Sequence, residues 1–434
     1  MAWLDLATRT APGRLRLAGA LLAVVTVAFG TLTAWQVDAR ARAAERVVSY
    51  SQPLSQAAAD IHRSLADADA TAATGFLLAG AEPKAVRERY EQDLATASRL
   101  IAEAAARTTA SSPAQGWLAT LNQHVPVYAG LVETARANNR LGYPLGGAYL
   151  RYASDQMRTV LLPAAAQLGT AENQELADDY AAARSVPWAA YGLGVLSLAV
   201  LVWVQAVLFR RTNRVFNLGL VAATAAVLSA VLWLTVAGTT ADSALQRSEQ
   251  RGAAPLRALN AARVDVLTAR LAENLHFVAR GSSTTYAELW SKTTEHLSAT
   301  GSRGEPAGTL GEAQVLAPAE ARAAVAAAGE QYRHWRDQHA AASRLETVDG
   351  DYQAALNATV AAEPEDAART ADASFSATDR KLAEAAGAEL AQFRRAAEGT
   401  DGDLRTAAVA VAVPALVAAA SAVRGLGRRL AEYR

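Results

Sequence analysis

The sequence contains no cysteine, which excludes both a disulfide framework and a zinc site built from thiolates. Its 42 basic and 42 acidic residues cancel, so no excess of positive charge indicates nucleic-acid binding. Aromatic residues make up only 6% of the chain, although hydrophobic residues reach 51%, much of it alanine. Because alanine favours helix and buries little area, we expect long helices with thin cores and no sheet.

Catalytic motifs are also absent. The chain has no HExxH, no phosphate-binding loop, no GxSxG and no dinucleotide fingerprint. Its nearest pair of histidines, His334 and His339, is five residues apart, which does not place both on one helix face. We therefore expect a protein that is not an enzyme, with no catalytic residue, no metal site and no cofactor.

Four apolar stretches carry little or no charge and approach the roughly 20 residues that a membrane-spanning helix needs. They are residues 17–37, 187–209, 215–237 and 406–423. Two long segments, residues 38–186 and 238–405, lie between the first and second spans and between the third and fourth. The sequence thus predicts a multi-pass protein of the plasma membrane.

Arginines predict the orientation of the spans. The loop between the second and third spans has only five residues, 210–214, and contains Arg210, Arg211 and Arg214. Short loops rich in arginine are cytoplasmic, because positive charges remain on that side of the membrane. The two long segments are then extracytoplasmic.

The predicted ends of the chain agree with this orientation. Residues 1–16 and 424–434 are both arginine-containing, and the latter segment includes Arg428 and Arg429. An even number of spans places both termini on the cytoplasmic side, together with the short loop. We expect the arginines of the loop and of the tail to contact a cytoplasmic partner or anionic lipid.

The two long segments resemble copies of one unit. The sequence FLLAG at residues 76–80 matches FVARG at residues 277–281, and the second copy has an insertion of about 20 residues around 347–366. Apolar residues recur at steps of three and four, which predicts four up-and-down helices in each copy. The expected fold class is an all-α membrane protein with four transmembrane helices and two tandem extracytoplasmic four-helix bundles.

Up-and-down order places the first and third turns of each bundle at its tip, far from the membrane. In the first copy these turns are residues 80–83 and 142–147, and in the second copy they are residues 280–283 and the insertion. We predict that the tips dock a partner, because glycine-rich loops on rigid scaffolds often carry recognition. The predicted docking residues are Gly142, Tyr143, Pro144, Gly146, Gly147, Tyr149, Glu82, Asp349 and Asp351. An ordinary helix connection is the alternative interpretation.

Charged residues within the helices have two interpretations. Arg263 and Arg270 lie seven residues apart beside the apolar seam of the second copy, and either contact an anionic ligand or extend to solvent at the bundle edge. We favour the edge. The acids Asp60, Asp67 and Asp69 are interpreted as a solvated face. Pro414, midway along the fourth span, is either a signalling hinge or a tolerated kink.

A four-helix bundle between two spans resembles the extracytoplasmic sensor domains of bacterial chemoreceptors and histidine kinases. The predicted cytoplasmic segments are too short for the output module of those proteins. Two bundles, four spans and the stretch ANNRLGYPLGGAYLR at residues 137–151 resemble the GlnX family of actinobacterial membrane proteins. That resemblance implies a relay between an extracytoplasmic amino-acid-binding lipoprotein (GlnH-like) and a cytoplasmic serine/threonine kinase (PknG-like).

The leading hypothesis from the sequence is therefore a transmembrane sensor or signal relay. One alternative is a receptor that binds a small ligand directly inside a bundle, and another is a structural protein of the envelope or division machinery. A monomer is compatible with the duplication, since two copies in one chain can supply the packing that related sensors obtain by dimerising. A homodimer is the other possibility.

Overall fold

The computed structural model describes residues 11–78, 82–212, 218–280, 283–298, 307–360 and 369–398, together with residues 420, 421 and 424. This part of the chain is helical and contains no strand, which confirms the all-α prediction. Its α-helices are α1 (Ala11–Arg46), α2 (Gln52–Leu77), α3 (Lys84–Arg107), α4 (Ala114–Arg140), α5 (Leu145–Gln156), α6 (Leu162–Arg184), α7 (Trp188–Thr212), α8 (Leu218–Ser248), α9 (Ala254–Ala279), α10 (Thr285–Ser298), α11 (Thr309–Leu316), α12 (Ala319–Thr347), α13 (Tyr352–Thr359) and α14 (Ala371–Glu398).

Within the described ranges, three π-helical turns join consecutive helices: Val47–Ser51, Met157–Leu161 and Glu249–Ala253. A proline lies two residues beyond the end of each turn, at Pro53, Pro163 and Pro255. Proline lacks an N–H group, and its ring collides with the carbonyl four residues earlier, so a wider turn at that point relieves the collision. The first and third turns occupy the same place in the two copies.

The chain divides into two compact units. Unit 1 comprises residues 1–49, 177–247 and 396–434, and its apolar core joins α1, α7 and α8 through side chains such as Leu22, Phe29 and Leu201. Three long apolar helical runs of the described residues are candidate membrane spans: Leu17–Leu77, Leu145–Arg210 and Leu218–Arg247. They are consistent with a membrane protein. The predicted fourth span, 406–423, lies outside the described residues except for 420 and 421.

Unit 2 comprises residues 50–176 and 248–395, so both long segments belong to one compact unit. Helix α2 of the first copy packs against α9 of the second. The core of the first copy takes in Leu271, Leu275 and Tyr286 from the second, and the core of the second takes in Ala66 from the first. The structure therefore does not confirm two separate tandem bundles, because the two copies share their cores.

The duplication is visible in the burial pattern of the last helical segment of each copy, which runs from α5 to α6 in the first copy and is α14 in the second. Residues 154, 157, 161, 165, 168 and 172 are buried, and so are the residues 217 positions later, 371, 374, 378, 382, 385 and 389. Phe76 and Phe277, near the end of the first helix of each copy, are only 201 positions apart. The inserted segment is thus 16 residues long, and α13 lies in this part of the chain.

One glycine controls the approach of α4 and α5 at the tip of the first copy. A Cβ atom at Gly146 would lie 2.9 Å from both the carbonyl oxygen of Ala135 and the backbone nitrogen of Asn139. Neither atom belongs to a flexible side chain, so the helices would have to separate to accept a methyl group. A Cβ at Gly130, by contrast, meets no atom within 4 Å.

We predict that Gly146→Ala destabilises the protein by about 1–3 kcal/mol, because the added methyl group collides with backbone. Gly130→Ala is the matched control within α4, and it is expected to raise stability by roughly 0.5–1 kcal/mol, since alanine favours helix more than glycine does. Thermal unfolding of the protein in detergent measures both. An unchanged melting temperature for Gly146→Ala would contradict the close approach of α4 and α5.

Candidate functional site

The centre of unit 2 is formed by α2 and α9. Every residue from 64 to 75 in α2 is buried, and so is every residue from 269 to 275 in α9. The sequence predicted one buried face on each helix, but helices of both copies surround α2 and α9 on all sides. Polar and charged side chains of these stretches therefore lie in the interior, where each needs a partner.

A buried asparagine joins the two central helices directly. Asn274, which is completely buried, donates from Nδ2 to Thr74 Oγ1 at 2.8 Å and to the carbonyl oxygen of Ala70 at 3.3 Å. Such a contact is satisfied only when the two helices are in one particular register, because a shift would leave buried polar groups unpaired. Asn274 thus fixes the position of α9 along α2.

A chain of four charged residues also connects the copies. Arg89 of α3 lies 2.8 Å from Asp67 of α2 and 3.3 Å from Asp379 of α14, and Arg263 of α9 donates to Asp379 at 2.9 Å. The two positive and two negative charges balance. Burial opposes the charge of Arg89, but Asp67 and Asp379 outweigh it and raise the pKa of Arg89. Arg89 therefore keeps its positive charge at the centre of this chain of charges.

Asp93 is a third acidic residue beside this chain of charges, which contains only two arginines. Burial, and next the negative charge of Asp67, raise the pKa of Asp93 to about 8. Its Oδ2 atom is buried and has no hydrogen-bond partner within the described residues. The raised pKa favours the neutral form of Asp93, and Arg89 pairs with Asp67 and Asp379.

A second buried acid, Asp69, lies inside the first copy. Its Oδ1 atom accepts hydrogen bonds from Tyr128 at 3.0 Å and from Ser154 at 2.7 Å. Complete burial raises the pKa of Asp69 to about 6, against the effect of these two hydrogen bonds. Its Oδ2 atom has no partner in the described part of the chain.

The interpretation of Asp60, Asp67 and Asp69 as a solvated face is therefore wrong for two of the three. Asp67 is 4% exposed and Asp69 is completely buried, whereas the Asp60 side chain is 48% exposed. The physical reason is that α2 is surrounded by helices of both copies, which the sequence of α2 alone does not reveal.

The second copy has a buried charge cluster of its own around Arg270. This arginine is completely buried and lies 2.6 Å from Glu273 and 2.7 Å from Asp372. Glu273 also accepts hydrogen bonds from Trp335 Nε1 at 2.9 Å and contacts His339 Nδ1 at 2.9 Å. Burial works to raise the pKa of Glu273, but His339, Arg270 and Trp335 outweigh it and hold the pKa below its ordinary value.

Arg263 and Arg270 thus differ from the favoured interpretation of the sequence. Neither side chain extends to solvent at a bundle edge, since Arg263 is 9% exposed and Arg270 is completely buried. Both form ion pairs with carboxylates of α14, Asp379 and Asp372. A contact with an external anion would have to displace these partners.

The two copies place opposite charges at the same point. Asp69 and Arg270 are 201 positions apart, the same separation as Phe76 and Phe277, so they occupy equivalent positions on α2 and α9. In each copy an aromatic side chain donates a hydrogen bond to a buried carboxylate of the central helix. Tyr128 of α4 donates to Asp69 of α2, and Trp335 of α12 donates to Glu273 of α9. Both copies therefore have a hydrogen bond of this kind, but the equivalent residues Asp69 and Arg270 carry opposite charges.

A further pair of buried acids is common to both copies. Glu172 of α6 and Glu389 of α14 are 2% and 1% exposed, and they are equivalent positions of the duplication. Burial, followed by the nearby Glu175 and Glu320, raises the pKa of each to about 7. Among the described residues, no hydrogen-bond partner is found for Oε2 of Glu172 or for either carboxylate oxygen of Glu389.

At the tip of the first copy, three contacts hold the predicted docking loop. Arg136 contacts Glu82 at 3.0 Å, and Asn139 Nδ2 donates to the carbonyl oxygen of Phe76 at 2.8 Å. Gly142 has φ +71°, a conformation that side chains disfavour, and its N–H donates to Asn139 at 2.9 Å. The structure therefore brings Glu82 and the 142–147 turn together, as the sequence predicted.

The docking loop exposes apolar side chains at its surface. Tyr143 is 57% exposed, and its neighbours Leu141 and Leu145 are 67% and 54% exposed. Pro144 is exposed and precedes α5, whereas Gly146 and Gly147 are buried and Tyr149 is half-buried against the core. The sequence analysis missed Leu141 and Leu145, although their place beside glycine and proline in a turn could have indicated exposure.

The tip of the second copy has a different construction. Tyr352 donates from its hydroxyl to the carbonyl oxygen of Phe277 at 2.9 Å, and Arg280 lies over the Tyr352 ring at 5.3 Å. Asp351 caps α13 by accepting from Ala354 N at 2.9 Å, and Asp349 is exposed beside it. The described part of the insertion therefore meets the 280 turn, as predicted.

The two tips adjoin each other. A Cβ at Gly147 would lie 3.6 Å from Val278 of the second copy and 3.8 Å from Phe76. Leu77 packs with the cluster formed by Phe277 and Ala342. One surface of unit 2 thus contains predicted docking residues from both copies.

The remaining predicted residues are only partly described. Arg210 is exposed at the end of α7, and Arg211 belongs to the same helix. Arg214, Arg428, Arg429 and Pro414 lie outside the described residues. Within the residues that the structure describes, no group of three or more His, Asp or Glu side chains is arranged to hold a metal ion.

Comparison with known proteins gives one match. Residues 43–181 match the family model of the actinobacterial sensor domain. The matched range begins and ends within five residues of the first predicted extracytoplasmic segment. It supports an actinobacterial sensor protein with a role in signalling. No curated protein and no solved structure is significantly similar to the chain.

We predict that Glu172→Gln and Glu389→Gln stabilise the protein at alkaline pH. Burial raises both pKa values to about 7, so the folded state holds these protons more tightly than the unfolded state does. The unfolded state loses these protons near the ordinary glutamate pKa of 4.5, whereas the folded state holds them up to about pH 7. The free energy of unfolding therefore falls as the pH rises from about 4.5 to about 7 and stays low above that. An amide cannot ionise and escapes this loss.

The expected gain at pH 8 is roughly 1 kcal/mol for each substitution after allowing for solvent screening, or a melting temperature about 2–4 °C higher. At pH 5 the variants and the natural protein should melt alike. Glu330→Gln, which removes an exposed acid, is the control and should be neutral at both pH values. A gain that is the same at pH 5 and pH 8 would refute the role of ionisation.

Proposed function

We propose that the protein is a non-enzymatic transmembrane sensor that relays an extracytoplasmic signal to the cytoplasm. The sensor-domain match over residues 43–181 and the three apolar helical runs support this class of function. We further propose the partners that the family resemblance implies. These are an extracytoplasmic amino-acid-binding lipoprotein of the GlnH type and a cytoplasmic serine/threonine kinase of the PknG type.

The observation that carries the docking proposal is the exposed apolar turn at the tip. Leu141, Tyr143 and Leu145 expose more than half of their surface within five residues of sequence. Water-exposed apolar groups that lie together favour contact with another surface. Tyrosine is also enriched in protein interfaces, because it combines a large apolar area with a hydroxyl group.

The turn is well ordered by its contacts, which supports binding. The hydrogen bond from Asn139 to Phe76, the ion pair of Arg136 with Glu82 and the left-handed Gly142 hold the turn against α2 and α4. A loop that is fixed before binding loses little conformational entropy when a partner docks. On the second copy, the exposed Asp349 and Asp351 add negative charge to the proposed docking surface.

The relay step is proposed to use the register of α2 and α9. Docking on a surface built from both copies would favour one position of the copies relative to each other. Buried polar contacts such as Asn274 with Thr74 make such positions discrete, because intermediate positions leave polar groups unpaired. The α2 part of this interface belongs to the helical run Leu17–Leu77, which contains a candidate span.

The cytoplasmic end of the relay is proposed to be basic. Arg210, Arg211 and Arg214 of the predicted loop, together with Arg428 and Arg429 of the tail, would contact the kinase or anionic lipid. Pro414 is the proposed hinge of the fourth span.

Direct binding of a small ligand is the second candidate function. Its supporting observation is the interior polarity of unit 2, where Asp69 Oδ2 and Arg270 Nε are buried without hydrogen-bond partners among the described residues. An amino acid carries the complementary ammonium and carboxylate groups. This candidate predicts that the purified chain binds an amino acid with no partner present.

The test of the docking proposal replaces Leu141, Tyr143 and Leu145 together with serine. The protein is recovered from its own membranes, and mass spectrometry identifies what accompanies it. A solute-binding protein should accompany the natural chain and be lost with the triple variant. Its measured affinity should fall by at least about tenfold, since anchoring residues typically contribute over 1 kcal/mol each.

Val127→Ser combined with Val315→Ser is the matched control, because these valines are 50% and 73% exposed and belong to other helices. The control should retain the partner. Recovery of the solute-binding protein with the triple variant would place docking elsewhere. Recovery of envelope or division proteins alone, under every amino-acid supply, would favour the structural alternative. Binding of an amino acid by the chain alone would favour the direct receptor.

A further inference from the structure

Unit 1 contains a cavity where α1 leaves its apolar stretch and α7 begins. Its volume is about 530 Å³, within the range of small-molecule sites in proteins. The lining comes from two parts of the chain that meet here: α1 between Trp35 and Arg46, and the end of α6 with the segment before α7, between Ala182 and Pro187.

The cavity lies between the end of one predicted span and the start of the next. The apolar stretch 17–37 ends beside it, and the stretch 187–209 begins beside it. Two tryptophans lie at the same place, Trp35 at 63% and Trp188 at 75% exposure. Tryptophan is enriched at membrane–water interfaces, where one end of its ring system is apolar and the other is hydrated.

Three arginines give the cavity positive charge, and two of them have acidic partners. Arg42 pairs with Asp38 at 2.8 Å and Arg46 pairs with Asp179 at 2.9 Å. Arg40 donates from Nε to the carbonyl oxygen of Ala183 at 3.0 Å and forms no ion pair within 4 Å among the described residues. Arg40 therefore supplies a positive charge that the chain does not neutralise locally.

The position of Arg40 is unfavourable for a cation without a ligand. The side chain is half-buried, and burial lowers the pKa of Arg40 against the weaker opposing effects of Tyr191 and Asp242. Asp242 is already paired with Arg184 at 3.2 Å. Because the Nε hydrogen bond holds the guanidinium in place, its other N–H groups are available to a bound anion.

The first turn of α7 lies beside the cavity. Helix α6 ends at Arg184 and α7 begins at Trp188, so the chain is not helical at residues 185–187. Gln36 of α1 accepts from the backbone N–H of Ala190, which fixes the start of α7 next to the arginines. The first turn of a helix favours negative charge. Ser185 also lines the cavity, and its hydroxyl donates to the carbonyl oxygen of Ala182 at 2.8 Å.

We propose that this cavity binds the phosphate group of an anionic membrane lipid, with Arg40 as the principal contact. Trp35 lies at the depth where the glycerol backbone of a lipid would lie, and the cavity is large enough for a headgroup. A bound lipid would join α1 to the start of α7, the two elements that enter and leave the membrane here. Free phosphate has the same chemistry, and the experiment below separates the two sources.

The test uses the full-length protein, stripped of lipid in mild detergent and examined by native mass spectrometry. Phosphatidylglycerol, phosphatidylcholine and inorganic phosphate are added separately. One phosphatidylglycerol should remain bound to the natural chain after activation that removes phosphatidylcholine. Arg40→Gln should weaken the retention of phosphatidylglycerol by about tenfold or more, as expected for one charge-assisted contact.

Three further variants separate the effects of charge, of cavity volume and of arginine removal elsewhere. Arg40→Lys preserves the charge and should retain more lipid than Arg40→Gln. Ala39→Phe fills the cavity without changing its charge, and should also lose the lipid. Arg333→Gln removes an arginine that is 72% exposed in unit 2 and should bind lipid as the natural chain does. Circular dichroism confirms that each variant is folded.

Equal retention of phosphatidylglycerol by the natural chain, Arg40→Gln and Ala39→Phe would overturn the proposal. Retention of inorganic phosphate that is lost in Arg40→Gln, together with no greater retention of phosphatidylglycerol than of phosphatidylcholine, would overturn the assignment to a lipid. Both results are independent of partner docking at the tip of unit 2, so this proposal stands or falls separately from the proposed function.

Discussion

The packing of α2 against α9 is the contact on which the rest of unit 2 depends. Each of these helices is surrounded by helices of both copies, so charged and polar residues that would be solvated on a separate bundle become interior groups. Asp67 is neutralised by Arg89, which also contacts Asp379 of the other copy, and Asn274 Nδ2 donates to Thr74 and Ala70. Separating the copies would expose two apolar cores and break these contacts, each of which is costly to leave unmade.

Much of this architecture follows from the sequence. Apolar stretches without charge predict the spans, steps of three and four predict the bundle helices, and the FLLAG and FVARG motifs predict the duplication. The turns were also predictable: glycine at position 142 is required by its left-handed backbone, and prolines at 53, 163 and 255 explain the three π-helical turns. These features are local, and local chemistry determines them.

The pairing of the copies was not predictable in the same way. Asp69 and Arg270 look like ordinary charges on amphipathic helices, because periodicity reports one buried face and cannot report a second helix layer on the opposite face. Only the contacts of Tyr128 and Ser154 with Asp69, and of Asp372 with Arg270, reveal why these charges are inside. The glycines and tyrosines of residues 142–149 predicted a shaped turn, but the exposure of Leu141 and Leu145 required the structure.

Cross-linking of the two central helices tests the pairing most directly. Because the natural sequence has no cysteine, only the introduced thiols can form a disulfide. Thr74→Cys combined with Asn274→Cys should form a disulfide within one chain on mild oxidation, since the two side chains are in hydrogen-bond contact at 2.8 Å. Peptides containing the two positions should be joined, and the protein should keep the mass of one chain. Thr74→Cys with Ala261→Cys, about 20 Å further along α9, should not cross-link. A disulfide that joins two chains, or equal cross-linking of both pairs, would contradict the account.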